Sequence, residues 1–343
     1  MKKYIVNVLV LLALLSSAAE AQLLRSTAKV GTTAANFLKI GAGARALSMG
    51  GAYAGVSDDI YSAYWNPAGI VNMPGSGGVT FNHADWLADI SYDYAAAALH
   101  LGDLGSMFFT LTSLGVPEEQ VRTVAYPEGD GRYWDASMMS LGIGYARKLT
   151  DKFSIGFHFK YIHESIWNTK SSGVAVDIGT YYVTPFNDMI IGASISNFGT
   201  KMQLDGRDIL FNYDPDGDPS TGPGNVLSKT DMGTFDLPLT FRLGLAMVVY
   251  RDRYFKVTAA LDATHPNDNT EYLNSGLEVG YDNMFFVRGG YKSIFLRDSE
   301  QELTFGGGVR YPVSDQLSLE LNYGFADYGR LKNVQYLDLS LQF

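Results

Sequence analysis

The histidines are the side chains best suited to acid–base or metal chemistry, yet their spacing offers no site for either. The five are His83, His100, His158, His163 and His265. The closest pair, His158 and His163, would lie on opposite faces of a strand and could not share a metal ion. The chain has no cysteine, which excludes disulfides, cysteine-ligated zinc, iron–sulfur clusters and thiol catalysis. With no G-x-S-x-G motif either, we expect neither an enzyme nor a bound metal or cofactor.

Two short motifs resemble fragments of ligand-binding loops. The run Asp214-Pro215-Asp216-Gly217-Asp218 resembles part of a calcium loop, but it lacks the downstream glutamate and contains a restrictive proline. We favour an acidic surface turn, in which any calcium would order the loop rather than react. Gly41 and Gly43 have the spacing that opens a dinucleotide-binding motif, but the third glycine is missing and no strand–helix unit surrounds them. Tight packing of the backbone is the interpretation we favour there.

Low charge together with 37 Gly and 22 Tyr is a first indication of a β-barrel. The 343 residues include 26 Lys and Arg against 36 Asp and Glu, and the net charge of −10 disfavours binding to nucleic acid. Hydrophobic residues make up 46% of the chain, so it is not disordered. Charged residues make up only 18%, below the ~25% typical of soluble domains.

The first 21 residues have the features of a secretory signal peptide. Lys2 and Lys3 precede an apolar run at residues 4–15, and Ala19-Glu20-Ala21 predicts cleavage before Gln22. An uncleaved anchor helix is the alternative. No later segment approaches the ~20 consecutive apolar residues of a transmembrane helix. The exported chain is therefore either a soluble periplasmic or secreted protein or a barrel in the outer membrane.

From residue 76 onward, apolar and polar residues alternate in segments of about ten, as in a barrel wall. In one segment Phe157 and Phe159 share one face, whereas His158 and Lys160 share the other. We predict an all-β fold, a fourteen-stranded antiparallel transmembrane barrel over residues 76–343. The predicted strands span residues 77–83, 91–101, 104–114, 136–149, 152–166, 171–185, 188–197, 238–251, 254–264, 272–282, 284–295, 300–312, 315–326 and 333–343.

The connections between these strands alternate in length. Every second one is a short turn, as expected at the periplasmic end of a barrel, and the two long ones, residues 115–135 and 199–236, fall at the outer end. A soluble β-sandwich would also alternate, but its polar face would be rich in Lys and Glu. The polar face of this chain is mostly Gly, Ser and Thr, so the barrel is the better fit.

Ten charges fall on the inward face of the predicted wall. They are Lys160, Asp177, Arg242, Lys256, Asp262, Glu278, Arg288, Lys292, Arg310 and Glu320. Both signs are present, so these residues could be solvated or could pair with a plug inside the lumen. The sequence leaves both alternatives open.

Residues 22–75 do not alternate, and we predict that they form an N-terminal plug, or hatch, inside the lumen. Small residues between 41 and 55 allow tight packing. Asp58 and Asp59 are predicted to cap a short helix at residues 60–64, which should end before Pro67. We expect Arg45 to be held by a carboxylate, either Asp58, Asp59 or an acid on the inner wall.

This N-terminal block resembles the PorV/PorQ group of outer-membrane proteins, which is related in architecture to the FadL long-chain fatty-acid transporters. The motifs that carry the resemblance are Phe37-Leu38-Lys39-Ile40-Gly41, Gly43-Ala44-Arg45-Ala46, Met49-Gly50-Gly51-Ala52, Asp58-Asp59 and Tyr64-Trp65-Asn66-Pro67-Ala68-Gly69. The FadL-like plug carries an Asn-Pro-Ala element, which matches Asn66-Pro67-Ala68. The resemblance implies a barrel with a hatch, in which Arg45, Gly50, Gly51, Asp58, Asp59, Asn66, Pro67 and Ala68 are the motif residues.

The resemblance also implies two alternative functions in the outer membrane. A PorV-type shuttle of the type IX secretion system receives cargo bearing a C-terminal signal domain from the translocon and delivers it to a surface attachment complex. Candidate anchors for such cargo are aromatic residues of the two long outer loops, which could also belong to an aromatic girdle at the membrane surface: Tyr126, Tyr133, Trp134, Phe211 and Tyr213. A FadL-like barrel would instead transport long-chain fatty acids or other hydrophobic small molecules past Leu47, Met49, Tyr53 and Trp65.

Overall fold

A computed structural model describes residues 29–215, 224–296 and 299–343. The predicted signal peptide and its cleavage site before Gln22 lie outside the described residues. Among the described residues, no helix has both the length and the apolar character needed to cross a membrane.

Fourteen antiparallel strands of the described chain form a closed wall, as the alternation predicted. The ring closes where the first strand pairs with the last, with Val79 opposite Leu341. The wall strands are β1 Gly77–Asp85, β2 Ser91–His100, β3 Ser106–Gln120, β4 Tyr133–Thr150, β5 Phe153–Ile166, β6 Thr169–Val183, β7 Ile190–Gly199, β11 Thr240–Arg251, β12 Phe255–Pro266, β13 Tyr272–Tyr281, β14 Phe285–Ile294, β15 Leu303–Ser314, β16 Leu317–Asp327 and β17 Asn333–Gln342. The described residues between β7 and β11 form three short strands, namely β8 Asp205–Gly206, β9 Leu210–Tyr213 and β10 Val226–Lys229.

The two faces of the wall differ in polarity, because successive side chains of a strand point to opposite sides. On β5, Phe157 and Phe159 are exposed on the outside, whereas His158 and Lys160 are buried on the inside. The other strands also present large exposed apolar side chains, including Phe81, Leu243 and Leu339. An apolar outer surface with a polar interior is the arrangement of a membrane-spanning barrel.

One difference from the predicted strands concerns the connection between β3 and β4. The sequence predicted a loop at residues 115–135, but pairing continues past a bulge to Glu119 opposite Trp134. Only residues 121–132 lie between the two strands. Backbone pairing needs no apolar face, so the hairpin extends beyond the region in which alternation is visible.

Residues 33–73 fill the interior of the ring. The helix Ala44–Ser48 packs against β14–β17, and the 3₁₀ segment Pro67–Asn72 packs against β4–β6 on the opposite side. A second helix, Ser62–Trp65, joins these two regions, and a 3₁₀ turn, Asn36–Lys39, precedes them. Four further 3₁₀ turns lie in connections: Leu87–Asp89, Gly102–Leu104, Arg207–Ile209 and Gly329–Leu331.

The predicted helix at residues 60–64 is displaced. It runs over Ser62–Trp65, and its first flanking residue, Tyr61, makes no side-chain cap. Of the two acids expected to cap it, Asp58 accepts a hydrogen bond from Arg45. Asp59 accepts one from Arg45 and another from the backbone nitrogen of Tyr61, directly before the helix. The helix does end before Pro67, as predicted.

Inward-facing glycines allow the wall to approach the backbone of the interior segment. A Cβ on Gly290 would lie 2.2 Å from the nitrogen of Gly50, closer than any real Cβ contact. The preceding residue, Gly289, faces outward, and the nearest atom to its Cβ would be the carbonyl oxygen of Thr304, 4.0 Å away.

We therefore expect Gly290→Ala to destabilise the folded protein by about 1–3 kcal/mol through overpacking, and Gly289→Ala to have a much smaller effect. Equilibrium unfolding in urea, monitored on the barrel in lipid, measures both variants. Equal losses would mean that the cost comes from the strand backbone and not from contact with residues 49 and 50.

Candidate functional site

Arg45 lies at the centre of a group of buried carboxylates inside the barrel. Its Nε and Nη2 donate to the two carboxylate oxygens of Glu278 on β13, at 2.8 and 3.0 Å. Its Nη1 donates to Asp58 and Asp59, at 2.7 and 3.0 Å. The planar fork of a guanidinium suits this two-sided pairing. The prediction that Arg45 is held by a carboxylate is confirmed. Arg45 pairs with Asp58, with Asp59 and with an acid of the inner wall, Glu278.

Tyr53 extends this group within the interior segment. Burial raises the pKa of Tyr53 well above its usual value, so its hydroxyl stays protonated and donates to Asp59. Burial also raises the pKa of the Asp59 carboxyl, and the positive charge of Arg45 opposes that shift. The other oxygen of Asp59 accepts the backbone nitrogen of Tyr61 at 3.0 Å. Asp59 thus fixes the turn between two parts of the segment.

A chain of hydrogen bonds continues from Glu278 around the wall. Arg288 on β14 donates to Glu278 at 2.7 Å and to Asn322 on β16 at 2.6 Å. Asn322 donates to Asp338 on β17 at 2.8 Å. Asp338 in turn accepts the backbone nitrogen of Ala44 at 2.7 Å. The network therefore starts and ends on the helix that carries Arg45, and it spans four wall strands.

Gly50 and Gly51 allow the segment to turn against the wall. Both adopt a left-handed backbone, with φ of 67° and 76°, that disfavours residues with a Cβ. A Cβ on Gly50 would lie 2.7 Å from the carbonyl oxygen of Ser275 and 2.8 Å from that of Tyr291. Gly51 lies against the ring of Trp65.

The Asn66-Pro67-Ala68 element connects the segment to the opposite wall. The Nδ2 of Asn66 donates to the carbonyl of Ala54 at 2.9 Å and to that of Thr180 on β6 at 3.0 Å. Its Oδ1 accepts the nitrogen of Ala68 at 3.2 Å, which caps the 3₁₀ segment. Pro67 occupies the first position of that segment, where its missing N–H costs no hydrogen bond.

Two of the inward wall charges contact the interior segment, which is one of the two alternatives that the sequence left open, whereas others pair within the wall. Glu278 contacts Arg45, and Asp262 on β12 accepts the backbone nitrogens of Tyr53 and Ala54 at 2.9 and 2.8 Å. Lys160 and Asp177 instead pair with each other across β5 and β6, at 2.8 Å.

Three acids that contact the segment were not among the predicted site residues. Besides Asp338, Glu164 accepts the nitrogen of Ala35 at 3.0 Å, and Asp268 pairs with Lys39. Asp338 and Glu164 could have been found, since both occupy inward positions of alternating strands. Asp268 lies beyond the end of β12, in a connection that the alternation does not reach.

The five aromatic residues proposed as partner anchors lie at the rim with the long connections. Tyr126 is in the β3–β4 connection, and Tyr133 and Trp134 begin β4. Phe211 and Tyr213 belong to β9. All except the half-buried Trp134 are exposed.

The strands β9 and β10 form a two-stranded sheet separate from the wall. Large apolar side chains of this hairpin are exposed: Leu210, Phe211, Tyr213, Val226 and Leu227, the last at 67%. The pairing of β8 with Thr169 and Lys170 connects the same loop to β6. The proposed acidic turn at residues 214–218 falls mostly outside the described residues. The structure therefore does not test whether this turn binds calcium.

A cavity of about 600 Å³ lies at the same rim, beside the end of β14. Its walls combine apolar and polar side chains: Tyr291, Ser293, Ile294, Phe295, Leu296, Ser299, Gln301 and Glu302. Ser293 and Phe295 adopt left-handed backbone angles of 58° and 71°, which end the regular strand. The volume is within the range of small-molecule sites.

The histidines make local hydrogen bonds rather than metal sites. His158 contacts Asp177 and Thr110, and His163 contacts Ser172. No group of three or more His, Cys, Asp or Glu side chains in the described ranges is arranged to hold a metal ion.

Removing the Arg45 charge should leave Asp58 and Asp59 without a cationic partner and Glu278 with Arg288 as its remaining one. We expect Arg45→Gln to lower the free energy of unfolding by about 3–5 kcal/mol and to expose residues 33–73 to protease. Arg132→Gln is the matched control, because that exposed arginine makes its ion pair with the nearby Asp130 outside the lumen and its loss should leave both readouts unchanged. Unchanged protease resistance in Arg45→Gln would contradict the role of this ion cluster.

Comparison with known proteins shows one family match. The family described as "Type IX secretion system protein PorV" matches residues 24–216 of the chain. None of the curated proteins matches.

Several solved structures have a similar fold. The Ralstonia pickettii toluene transporter TbuX is 13% identical, with a TM-score of 0.53, over 88% of this chain and 97% of that one. The Pseudomonas putida toluene transporter TodX is 14% identical, with a TM-score of 0.53, over 88% and 97%. A Pseudomonas aeruginosa FadL homologue is 13% identical, with a TM-score of 0.51, over 93% and 98%. At such low identity these similarities concern the fold alone.

Proposed function

The chain belongs to the family of the type IX secretion system protein PorV, and on that basis we propose that it is a shuttle for secreted proteins. It is an outer-membrane β-barrel, and both its family and its fold are those of secretion and transport barrels. In this proposal the rim with the long connections binds the C-terminal signal domain of a cargo protein. The barrel receives that cargo from the translocon and delivers it to a surface attachment complex.

The observation that carries this proposal is the exposed apolar hairpin above a filled lumen. Residues 33–73 occupy the interior, and Leu47, Met49, Tyr53 and Trp65, the residues considered for a transport route, are all buried there. Apolar area is instead available at the rim, where Phe211, Tyr213 and Val226 are exposed on one face of the hairpin. Contiguous exposed apolar surface of this kind is typical of protein-interaction sites.

The backbone of the hairpin supports the same proposal. In the described part of the chain, β9 and β10 pair only with each other, so each strand has an unpaired outer edge. Such an edge can accept an added strand from a β-rich domain, with main-chain hydrogen bonds supplying affinity and side chains supplying specificity. Tyr126 and Tyr133, exposed on the same rim, supply further aromatic surface.

We expect the double substitution Phe211→Ser and Tyr213→Ser to weaken binding of a purified cargo signal domain by at least about tenfold, because aromatic anchors dominate interface energies. Binding is measured by titration against the detergent-solubilised barrel. Phe186→Ser is the control, since Phe186 is equally exposed but lies in a short connection at the opposite rim. Equal affinity of the double variant and the control would contradict docking at the hairpin.

Transport of a hydrophobic small molecule is a second candidate, favoured by the cavity of about 600 Å³ beside β14. Three of its lining residues, Ile294, Phe295 and Leu296, suit an apolar ligand. Gly50 of the interior segment contacts the carbonyl of Tyr291, another lining residue. Movement of the segment could therefore change this cavity. The structural neighbours TbuX and TodX are named as toluene transporters.

Purification from gently solubilised outer membranes, followed by analysis of both proteins and lipids, distinguishes the two candidates. Co-purifying chains with a common C-terminal β-domain would support the shuttle. A barrel that emerges alone with a bound acyl chain would support transport. In either case we propose that residues 22–75 act as a hatch and residues 76–343 as the wall.

A further inference from the structure

A small enclosed cavity of about 20 Å³ lies between the interior segment and the wall. The segment contributes Leu38 and Tyr64, and the wall contributes the remaining lining residues: Tyr94, Thr110, Thr112, His158, Lys160, Asp177, Ser196, Asn197 and Arg242. A cavity of this size holds one species of roughly the size of a water molecule or a chloride ion.

One side chain at this cavity points to a bound species. Tyr94 on β2 is only 1% exposed, and its hydroxyl has no hydrogen-bond partner among the described residues. Buried hydroxyls are normally hydrogen-bonded, because desolvation without a partner is costly. The neighbouring Thr110, Asp177 and Asn197 already have hydrogen-bond partners in the lining, so we take a ligand in the cavity as the partner of Tyr94.

The charge around the cavity favours an anion. Lys160 and Arg242 are both buried cations, but Asp177 is the only carboxylate of the lining. That carboxylate is already satisfied by Lys160, by His158 and by the backbone nitrogen of Asn197. None of the ion pairs found in the described ranges involves Arg242, which donates to Ser196 at 3.1 Å and lies over the ring of Trp65.

We propose that this cavity binds a small monovalent anion such as chloride, held by the Arg242 guanidinium, the Lys160 ammonium and the Tyr94 hydroxyl. The anion supplies the negative charge that the lining lacks and accepts the free tyrosine hydrogen. Leu38 and Tyr64 of the interior segment line the cavity together with strands on one side of the wall. The bound anion therefore stabilises the contact between the interior segment and these strands. This inference depends on neither cargo binding nor small-molecule transport.

Tyr92 and Tyr94 provide a matched pair of variants. Both are on β2, both are buried, and both hydroxyls lack a partner among the described residues, but only Tyr94 lines the cavity. Tyr94→Phe keeps the ring that packs against Tyr61 and Tyr64, so the barrel should fold normally. It removes only the hydroxyl that would bind the anion.

The test uses the purified full-length barrel, with chloride replaced by gluconate at constant ionic strength. We expect chloride and bromide, but not gluconate, to slow amide exchange in residues 38–65 saturably. Tyr94→Phe should raise the half-saturating chloride concentration about tenfold, the loss of one charge-assisted hydrogen bond, whereas Tyr92→Phe should leave it unchanged. Crystals grown in bromide should show one anomalous peak between Tyr94, Lys160 and Arg242.

Three outcomes would overturn the proposal. Exchange that is independent of halide, with no anomalous peak, would mean that the cavity holds water only. A bromide peak without any effect on exchange would indicate an adventitious ion only. Equal effects of Tyr94→Phe and Tyr92→Phe would place the halide effect somewhere other than this cavity.

Discussion

The burial of the Arg45 guanidinium is the constraint on which the arrangement of the lumen depends. A permanent positive charge inside a barrel is costly to bury unless negative charge compensates it with good geometry. Two of these acids come from the interior segment itself, and the third, Glu278, comes from the wall. The segment can therefore reach its native position only when β13 presents Glu278 in the correct register, and a one-residue slip would point that acid outward.

The interior segment and the wall match in shape as well as in charge. The wall carries inward glycines where the segment approaches most closely, and the segment carries glycines where it meets backbone carbonyls. A Cβ on Gly192 would lie 1.9 Å from the carbonyl oxygen of Ala54, and one on Gly156 would lie 2.4 Å from the backbone of Pro67. The interior is thus assembled from complementary small residues together with paired charges. Either mismatch alone would push the segment away from the wall.

Because residues 33–73 fill the lumen, the surface available to a partner or ligand lies mainly at the rim. The described interior offers a cavity the size of one water molecule or ion, whereas the rim offers the β9–β10 hairpin and the larger cavity beside β14. The two proposed functions use different parts of this rim. Docking of a protein needs only the hairpin to be accessible, whereas passage of a small molecule requires Gly50 and its neighbours to leave their contacts with β13 and β14.

Local sequence determined the wall. Alternation such as Phe157, His158, Phe159 and Lys160 defines a strand with one lipid-facing side, because side-chain direction in a strand depends only on position. For this reason all fourteen strands were predicted, and the errors arose where that pattern stops, as in the β3–β4 hairpin. Tertiary structure alone decided which acids meet Arg45. Glu278 is 233 residues from Arg45 in the chain, and the two become neighbours only once the ring has closed around the segment. The cavity beside Tyr94 likewise depends on tertiary structure, since five wall strands besides β2 and two parts of the interior segment contribute to its lining.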